Sequence, residues 1–232
     1  MPLRKWVHSA NNAIEGIIFA AKSQRHVRYH LVFAAIVLIL CLIMGVSRFD
    51  FMLLSIAIIL VLLAEMVNTA IEHVVNLISP QYSEYARTAK DVAAGAVLIT
   101  AFGAVFLGYI VIYPYIQKMF TDGLPPLRHE NHEILLLSIV IVLITVIMLK
   151  SYYGTGTPLR GGKPSGHAAI AFSAWAVATS VTGNFLISIL CFLMATLIAQ
   201  SRVATNIHSR LEVFFGALLG AGITFFFYWL FS

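Results

Sequence analysis

Long apolar runs dominate this chain and set the strongest limit on its fold. Each run is close to the length that a helix needs to cross a bilayer. Backbone polar groups in a bilayer must be satisfied within their own segment, which predicts helices and not open sheets. We therefore expect an all-α integral membrane protein with about seven transmembrane helices, at residues 31–47, 51–76, 92–116, 134–149, 167–183, 185–200 and 212–231.

The residues before the first run predict an additional helix, amphipathic and lying at the membrane interface. Apolar side chains such as Trp6, Ile14 and Ile17 share one of its faces, and basic residues stand at both ends. The chain as a whole is 60% hydrophobic and only 11% charged, which excludes an ordinary soluble domain. Cys41 and Cys191 lack a CxxC or Cys/His partner, so neither a disulfide nor a zinc site is expected.

The basic residues predict the topology. When seven spans alternate from an inside N-terminus, only Arg48, Lys118 and Arg128 fall outside, and the other 12 of the 15 Lys and Arg fall inside. The net charge of +5 then belongs mainly to the cytoplasmic face, where it suits anionic headgroups and phosphates better than nucleic acid. We predict a multi-pass membrane protein with its basic loops in the cytoplasm and with no nucleic-acid partner.

A turn-forming segment at 117–132 divides the chain. It contains Asp122-Gly123-Leu124-Pro125-Pro126 and is predicted to lie outside. We place a domain boundary near residue 120, which gives an N-terminal domain over 1–118 with three spans and a C-terminal domain over 133–232 with four.

A polar stripe interrupts the second span. Glu65, Asn68 and Glu72 are three and four positions apart and therefore share one helix face. Charged groups inside a membrane helix are costly and usually functional. Two carboxylates and an amide suit magnesium and phosphoryl chemistry, while the same residue types also occur in transport sites and in structural polar seams.

The sequence order around this stripe resembles the small prokaryotic diacylglycerol kinase and undecaprenol kinase family. A basic amphipathic start and three spans, with AEMVNTAIEHVVNL followed by ARTAKDVAAGAVLI, carry the resemblance over about residues 8–115. It implies an ATP- and Mg²⁺-dependent lipid kinase of the bacterial cytoplasmic membrane that forms a homotrimer with sites between subunits. The roles that it implies are a general base at Glu65, an ATP and magnesium site at Asn68 and Glu72, and contacts to nucleotide or lipid hydroxyl from Lys90 and Asp91.

Several features of this half qualify that resemblance. Gln24 stands where the family usually has a metal-binding Glu, and Asn76 stands where an Asp is common. An amide oxygen can bind magnesium, so Gln24 stays in the predicted metal site with Glu72, but it brings no charge and the metal affinity should fall. Lys90 and Asp91 are also compatible with an ordinary helix start capped by Thr88.

A second polar cluster lies in the C-terminal half. Ser165, Gly166 and His167 follow Pro164 at a predicted helix start, where free backbone N–H groups bind phosphate. Arg202 ends the sixth span, and His208 follows six residues later. Glu212 lies four residues beyond His208, so a helical start would bring its carboxylate to the imidazole. A nucleophilic His oriented by a carboxylate is one arrangement of an activated nucleophile.

Together these residues and Lys150 resemble the three-motif signature of the type 2 phosphatidic acid phosphatase superfamily, over about residues 134–231. The resemblance implies that His208 attacks phosphorus, that Glu212 orients it and that His167 protonates the leaving oxygen, without a cofactor. It also implies a group of residues that hold the phosphate oxygens, namely Lys150, Ser165, the Gly166 amide and Arg202.

The match departs from the superfamily pattern in three ways. Thr157 stands where the first motif normally has Arg, and Arg160 is a candidate substitute. Glu212 replaces an Asp, and this half has four spans where six are usual. Loss of one guanidinium clamp would weaken phosphate binding or alter the preferred headgroup.

Three functions follow as hypotheses. The first is a fused lipid kinase and lipid phosphatase acting on substrates in the inner leaflet, with both sites on the cytoplasmic face. A kinase acting on undecaprenol and a phosphatase acting on undecaprenyl diphosphate would both yield undecaprenyl phosphate, so the two activities need not oppose each other. The other candidate substrates are diacylglycerol, phosphatidate and phosphatidylglycerol phosphate. The second is a phosphatase with a catalytically weak kinase-like scaffold. The third is a proton-coupled carrier that uses Glu65 and Glu72.

Overall fold

Helices form all of the regular structure in the described part of the chain. The computed structural model describes residues 2–123, 131–153 and 162–231. Its helices are α1 (Pro2–Ser23), α2 (Arg25–Ile43), α3 (Arg48–Ile78), α4 (Glu84–Asp122), α5 (Asn131–Tyr153), α6 (Gly166–Thr182), α7 (Phe185–Ala204) and α8 (Arg210–Phe231).

The helices confirm an all-α integral membrane protein. Within the described residues, α2, α3, α4, α5, α7 and α8 are long and apolar enough to cross a membrane. The 17-residue α6 overlaps the remaining predicted span but is shorter than these six. Each of the seven predicted runs therefore coincides with a helix, and α1 occupies the place of the predicted amphipathic helix.

Local side-chain contacts explain several helix ends. Ser47 accepts the Asp50 N–H before α3, and Asn184 accepts two N–H groups at the start of α7. Gly183 ends α6 at φ 56°, a left-handed conformation that glycine adopts without strain. The expectation that Thr88 caps a helix is wrong, because α4 already begins at Glu84 and the Thr88 hydroxyl donates to the Glu84 carbonyl.

The loop predicted at 117–132 is shorter than expected. Helix α4 continues to Asp122, with Pro114 inside it, and α5 begins at Asn131. Most of the turn-forming residues, Leu124 to Pro126, lie outside the described residues. The third apolar run ends at residue 116, but α4 continues for six more residues. The run underestimates the length of the helix because the helix extends into a polar sequence.

The chain divides into two compact units. Residues 23–126 form one, with α2, α3 and α4, and residues 1–22 together with 127–232 form the other, with α1 and α5 to α8. Helix α1 thus groups with the C-terminal helices. Its last turn is buried at Ala20 and Ala21, and the Ala21 carbonyl accepts a 2.7 Å hydrogen bond from the Ser151 hydroxyl. The division into domains at 1–118 and 133–232 stays a prediction.

Candidate active sites

In the C-terminal unit, the ends of four helices carry the predicted phosphatase residues. Lys150 lies in the last turn of α5, Ser165 precedes α6, Arg202 lies in the last turn of α7 and Glu212 lies in the first turn of α8. His167 is the second residue of α6 and lies within electrostatic range of Arg202, His208 and Lys150. The structure therefore brings these predicted residues to one end of the unit.

Buried His208 pairs with partly exposed Glu212. The His208 Nδ1 and Glu212 Oε2 atoms are 2.9 Å apart, the contact expected from their spacing, and His208 is 5% exposed. The same Glu212 oxygen accepts the Ser209 N–H at 3.1 Å, and the His208 N–H donates to the Arg202 carbonyl at 3.1 Å. With Nδ1–H donated to a carboxylate, Nε2 carries the lone pair and is the nucleophilic nitrogen.

The surroundings of His208 favour the neutral form of its imidazole. Burial lowers the pKa of His208 below its ordinary value; the hydrogen bond to Glu212 opposes this shift, and the positive charges of Lys150 and Arg202 add to it. A neutral imidazole is the form that can attack phosphorus. The site thus combines an oriented His with nearby cations.

The cations and the start of α6 are arranged to receive an anion. Lys150 is buried, and the Arg202 Nε atom is buried without a hydrogen-bond partner in the described part of the chain. The Ser165 hydroxyl accepts the Ala168 N–H at the N-terminus of α6, where backbone N–H groups favour negative charge. A buried donor without a partner is costly unless a ligand satisfies it.

Two glycines that the motif analysis did not single out hold α6 against α8. A Cβ at Gly216 would collide with the Ser165 carbonyl, and one at Gly220 would collide with the Ala169 carbonyl. The Ser165 N–H also donates to the Glu212 carbonyl at 2.9 Å. The Gly216-x-x-x-Gly220 spacing, typical of close helix packing in membranes, was the available signal. This packing sets the position of Ser165 relative to Glu212.

Thr157 and its candidate substitute Arg160 lie outside the described residues.

In the unit of residues 23–126, the predicted kinase stripe is buried and internally paired. Glu65 is 4% exposed, and its Oε1 lies 3.1 Å from His30 Nε2. Glu72 accepts from two amides, Asn68 Nδ2 at 3.1 Å on Oε1 and Gln24 Nε2 at 2.8 Å on Oε2. Asn68 Oδ1 is buried without a hydrogen-bond partner in the described ranges.

Lys90 contacts α3 one turn beyond the stripe, whereas Asp91 pairs with Arg87 on its own helix. The Lys90 ammonium donates to Asn76 Oδ1 at 2.6 Å, one turn beyond Glu72 on α3. Asp91 is exposed, and its Oδ2 lies 3.5 Å from Arg87 Nε. His30, which sequence analysis set aside, faces Glu65 although 35 residues separate them, and no short motif signals that contact.

The stripe fits a magnesium ion poorly. Both oxygens of Glu72 accept amide N–H groups, and Gln24 turns its nitrogen toward that carboxylate. No group of three or more His, Cys, Asp or Glu side chains in the described residues could hold a metal ion. The metal role predicted for Gln24 and Glu72 therefore stays a prediction, and we derive no catalytic step through a metal here.

An apolar cavity of about 390 Å³ lies beside this stripe. Residues of α2, α3 and α4 line it, among them Phe33, Val61 and Val105, and His30 is its polar member. Because His30 also contacts Glu65, the cavity adjoins the carboxylate predicted as general base.

Comparison with known proteins identifies both halves. Residues 11–112 match the family model described as prokaryotic diacylglycerol kinase, and residues 149–232 match that of the PAP2 superfamily, the type 2 phosphatidic acid phosphatases. The chain is a member of the prokaryotic diacylglycerol kinase family fused to a PAP2 domain. No solved structure matches it significantly.

The kinase family assignment rests on curated relatives as well. Undecaprenol kinase of Bacillus subtilis is 33% identical over 112 residues, which cover 48% of this chain and 91% of the relative. A diacylglycerol kinase of Synechocystis is 34% identical over 122 residues, covering 49% of this chain and 70% of the relative. The two families place the protein in membrane lipid phosphate metabolism, and the kinase family in general requires a nucleotide and a metal.

Proposed function

We propose that the PAP2 domain hydrolyses a lipid phosphate or lipid diphosphate through a phosphohistidine on His208. The observation that carries the proposal is the contact of buried His208 with Glu212, with Nδ1 and Oε2 2.9 Å apart. The unpartnered Nε of Arg202 and the buried Lys150 support an anionic substrate, because they supply positive charge where a phosphate would sit.

The proposed reaction has two steps. His208 Nε2 attacks phosphorus and forms a P–N bond, while the P–O bond to the lipid, or to its inner phosphate, breaks and His167 gives a proton to the leaving oxygen. A water molecule then attacks phosphorus, His167 accepts its proton, and the P–N bond breaks to release inorganic phosphate. Arg202, Lys150, Ser165 and the Gly166 N–H hold the phosphate oxygens as charge accumulates. No metal takes part in these steps.

The lipid environment limits the substrate class. Both halves consist of helices suited to a membrane, so the substrate enters from the bilayer, and the distribution of Lys and Arg supports sites on the cytoplasmic face. Undecaprenyl diphosphate is the preferred substrate in this proposal, because similarity to an undecaprenol kinase suggests a common product, undecaprenyl phosphate. Phosphatidate and phosphatidylglycerol phosphate are the alternatives.

Phosphate release by the purified full-length protein tests this proposal. We expect release from at least one of undecaprenyl diphosphate, phosphatidate and phosphatidylglycerol phosphate, and a loss of at least about a thousand-fold in His208→Ala, as for removal of a nucleophile elsewhere. His132→Ala serves as the control for loss of an imidazole. Release from phosphatidate alone would refute the undecaprenyl version, and equal activity of His208→Ala would refute the mechanism.

For the kinase-like domain we propose low catalytic activity in the native sequence. The hydrogen bond from Gln24 Nε2 to Glu72 supports this, because it occupies a carboxylate oxygen that a cation would need. The domain then acts mainly as a scaffold, with ATP- and Mg²⁺-dependent phosphorylation of undecaprenol or diacylglycerol as its residual activity. The homotrimer implied by the family remains part of this proposal.

The variant Gln24→Glu tests the scaffold proposal. A second carboxylate beside Glu72 would repel it in the absence of a cation and bind Mg²⁺ in its presence. We expect ATP-dependent lipid phosphorylation to rise by roughly ten-fold or more from a low baseline, the effect of about 1.4 kcal/mol. Gln117→Glu, an exposed change on α4, should have no effect. Strong kinase activity in the native protein would contradict the proposal.

A further inference from the structure

A histidine on α2 holds the buried carboxylate at the start of the kinase stripe. His30 lies in the second turn of α2 and Glu65 in the middle of α3, and both belong to the unit of residues 23–126. The His30 Nε2 and Glu65 Oε1 atoms are 3.1 Å apart, and Glu65 is 4% exposed. The carboxylate predicted as general base therefore has a side-chain partner from a different helix.

This contact engages one carboxylate oxygen of Glu65 and leaves the other for a ligand. An ionised carboxylate only accepts hydrogen bonds, so His30 Nε2 carries the proton and donates to Oε1. No hydrogen bond or ion pair to Oε2 occurs among the described residues. Glu72 differs, because both of its oxygens accept amide N–H groups. Oε2 of Glu65 is therefore the oxygen of the stripe that is open to a donor such as a hydroxyl.

The cavity beside His30 suits an alcohol with an apolar chain. His30 lines this cavity of about 390 Å³, and the other side chains that line it are apolar. A dry cavity of about 150 Å³ takes up benzene, so this one has room for roughly 15 carbon atoms. A lipid alcohol with its chain in the cavity would bring its hydroxyl toward His30 and Glu65.

We propose that His30 is a positioning residue of the kinase-like domain, which holds the Glu65 carboxylate so that Oε2 accepts the hydroxyl of a lipid alcohol. This inference rests on the residual lipid kinase activity proposed above. In that reaction the hydroxyl proton passes to Glu65 while the hydroxyl oxygen forms a bond to the terminal phosphorus of ATP, and the bond from that phosphorus to ADP breaks. His30 keeps its own proton and acts only through the orientation of Glu65.

Kinetics in the full-length Gln24→Glu variant, where we expect higher kinase activity, tests the role in phosphorylation. Adding His30→Leu should lower kcat for undecaprenol by roughly ten-fold or more, because Glu65 loses its orientation, and should leave KM for ATP within about two-fold. Adding His30→Gln, which keeps an N–H donor, should recover most of kcat. His26→Leu removes an exposed imidazole one turn earlier on α2 and should have no effect. Equal losses of kcat in His30→Leu and His30→Gln would contradict a role for the donor.

Binding of farnesol, a prenyl alcohol of about the length that the cavity admits, and of its methyl ether separates this inference from the kinase proposal. The ether has the same chain but no O–H to donate, so we expect the native protein to bind the alcohol roughly ten-fold more tightly. Loss of this preference in His30→Leu, with retention in His30→Gln and His26→Leu, would support the inference even if no variant phosphorylated a lipid.

Two outcomes of the binding experiment would overturn the inference. One is equal affinity of the native protein for the alcohol and the ether, because Glu65 would then accept no hydroxyl. The other is a preference for the alcohol that stays unchanged in His30→Leu. If both compounds bound more weakly to that variant by the same factor, His30 would serve only to line the cavity.

Discussion

The two polar regions of this protein satisfy their buried charges in opposite ways. In the PAP2 domain the positive charges of Lys150 and Arg202 act on His208, and the Nε of Arg202 has no hydrogen-bond partner in the described residues. In the kinase-like domain both carboxylates of the stripe already have partners. Glu65 pairs with His30, and Glu72 accepts hydrogen bonds from Asn68 and Gln24. The PAP2 region is therefore suited to bind an anion. In the kinase-like region the carboxylates that could bind a cation are already engaged by other side chains.

This difference follows from single side chains. Gln24 donates a hydrogen bond to Glu72 from a position where the kinase family usually has Glu, and Asn76 accepts from Lys90 where an Asp is common. In the PAP2 domain, exchange of the orienting Asp for Glu212 preserves both the charge and the contact to His208. Two uncharged amides thus stand in the kinase-like domain where the family usually has carboxylates, whereas the PAP2 domain keeps a carboxylate in contact with its histidine.

The largest effect should come from removing Arg202, whose Nε has no hydrogen-bond partner in the described residues. We expect Arg202→Met to lower kcat/KM for phosphate release by roughly 100-fold, the usual loss when a donor to the transition state is removed. Arg210→Met, a change at an exposed arginine eight residues further along, should have little effect. Steady-state kinetics on the purified proteins checks this. Equal losses of kcat/KM in both variants would show that phosphate release depends on the net positive charge of the protein and not on Arg202 in particular.

The next largest effect should come from the packing of α6 against α8. Gly216→Ala places a methyl group against the Ser165 carbonyl, and we expect it to destabilise the PAP2 domain by about 1–3 kcal/mol, as overpacking does elsewhere. Thermal unfolding and phosphate release should both decline. Gly222→Ala, in the same helix, has open space around the added methyl and should behave like the native protein. A neutral Gly216→Ala would contradict the close packing.

The smallest effect concerns pH. Attack requires neutral His208, and burial lowers its pKa, so the acidic limb of the kcat/KM profile should lie below the ordinary histidine value of about 6.5. Arg202 contributes to the lowering, so its removal raises the pKa and the limb should move to higher pH in Arg202→Gln. A pH–rate series on both proteins measures this. A limb above 6.5 in the native protein would contradict the assignment.

Sequence analysis predicts the helices and the local contacts well because both depend on near neighbours. The apolar runs locate the membrane helices, and the four-residue spacing indicates the contact between His208 and Glu212. The Glu65, Asn68 and Glu72 stripe follows from helical periodicity in the same way. These predictions need only the geometry of one helix.

Contacts between distant segments are beyond such reasoning. The bond from Gln24 to Glu72 spans 48 residues, and that from Ser151 to Ala21 spans 130. The amphipathic pattern shows that α1 has an apolar face to bury, but it does not identify the helices that cover this face. The spacing of Gly216 and Gly220 likewise indicates close packing without showing that α6 is the neighbour.

The most direct test of the central claim is to trap the covalent intermediate. Purified protein would be mixed with undecaprenyl diphosphate, phosphatidate or phosphatidylglycerol phosphate labelled with ³²P on the terminal phosphate, quenched in base during turnover and mapped by peptide analysis. The account predicts an acid-labile, base-stable label on His208 that His208→Ala lacks. A label on another residue, or full phosphate release by His208→Ala, would contradict it.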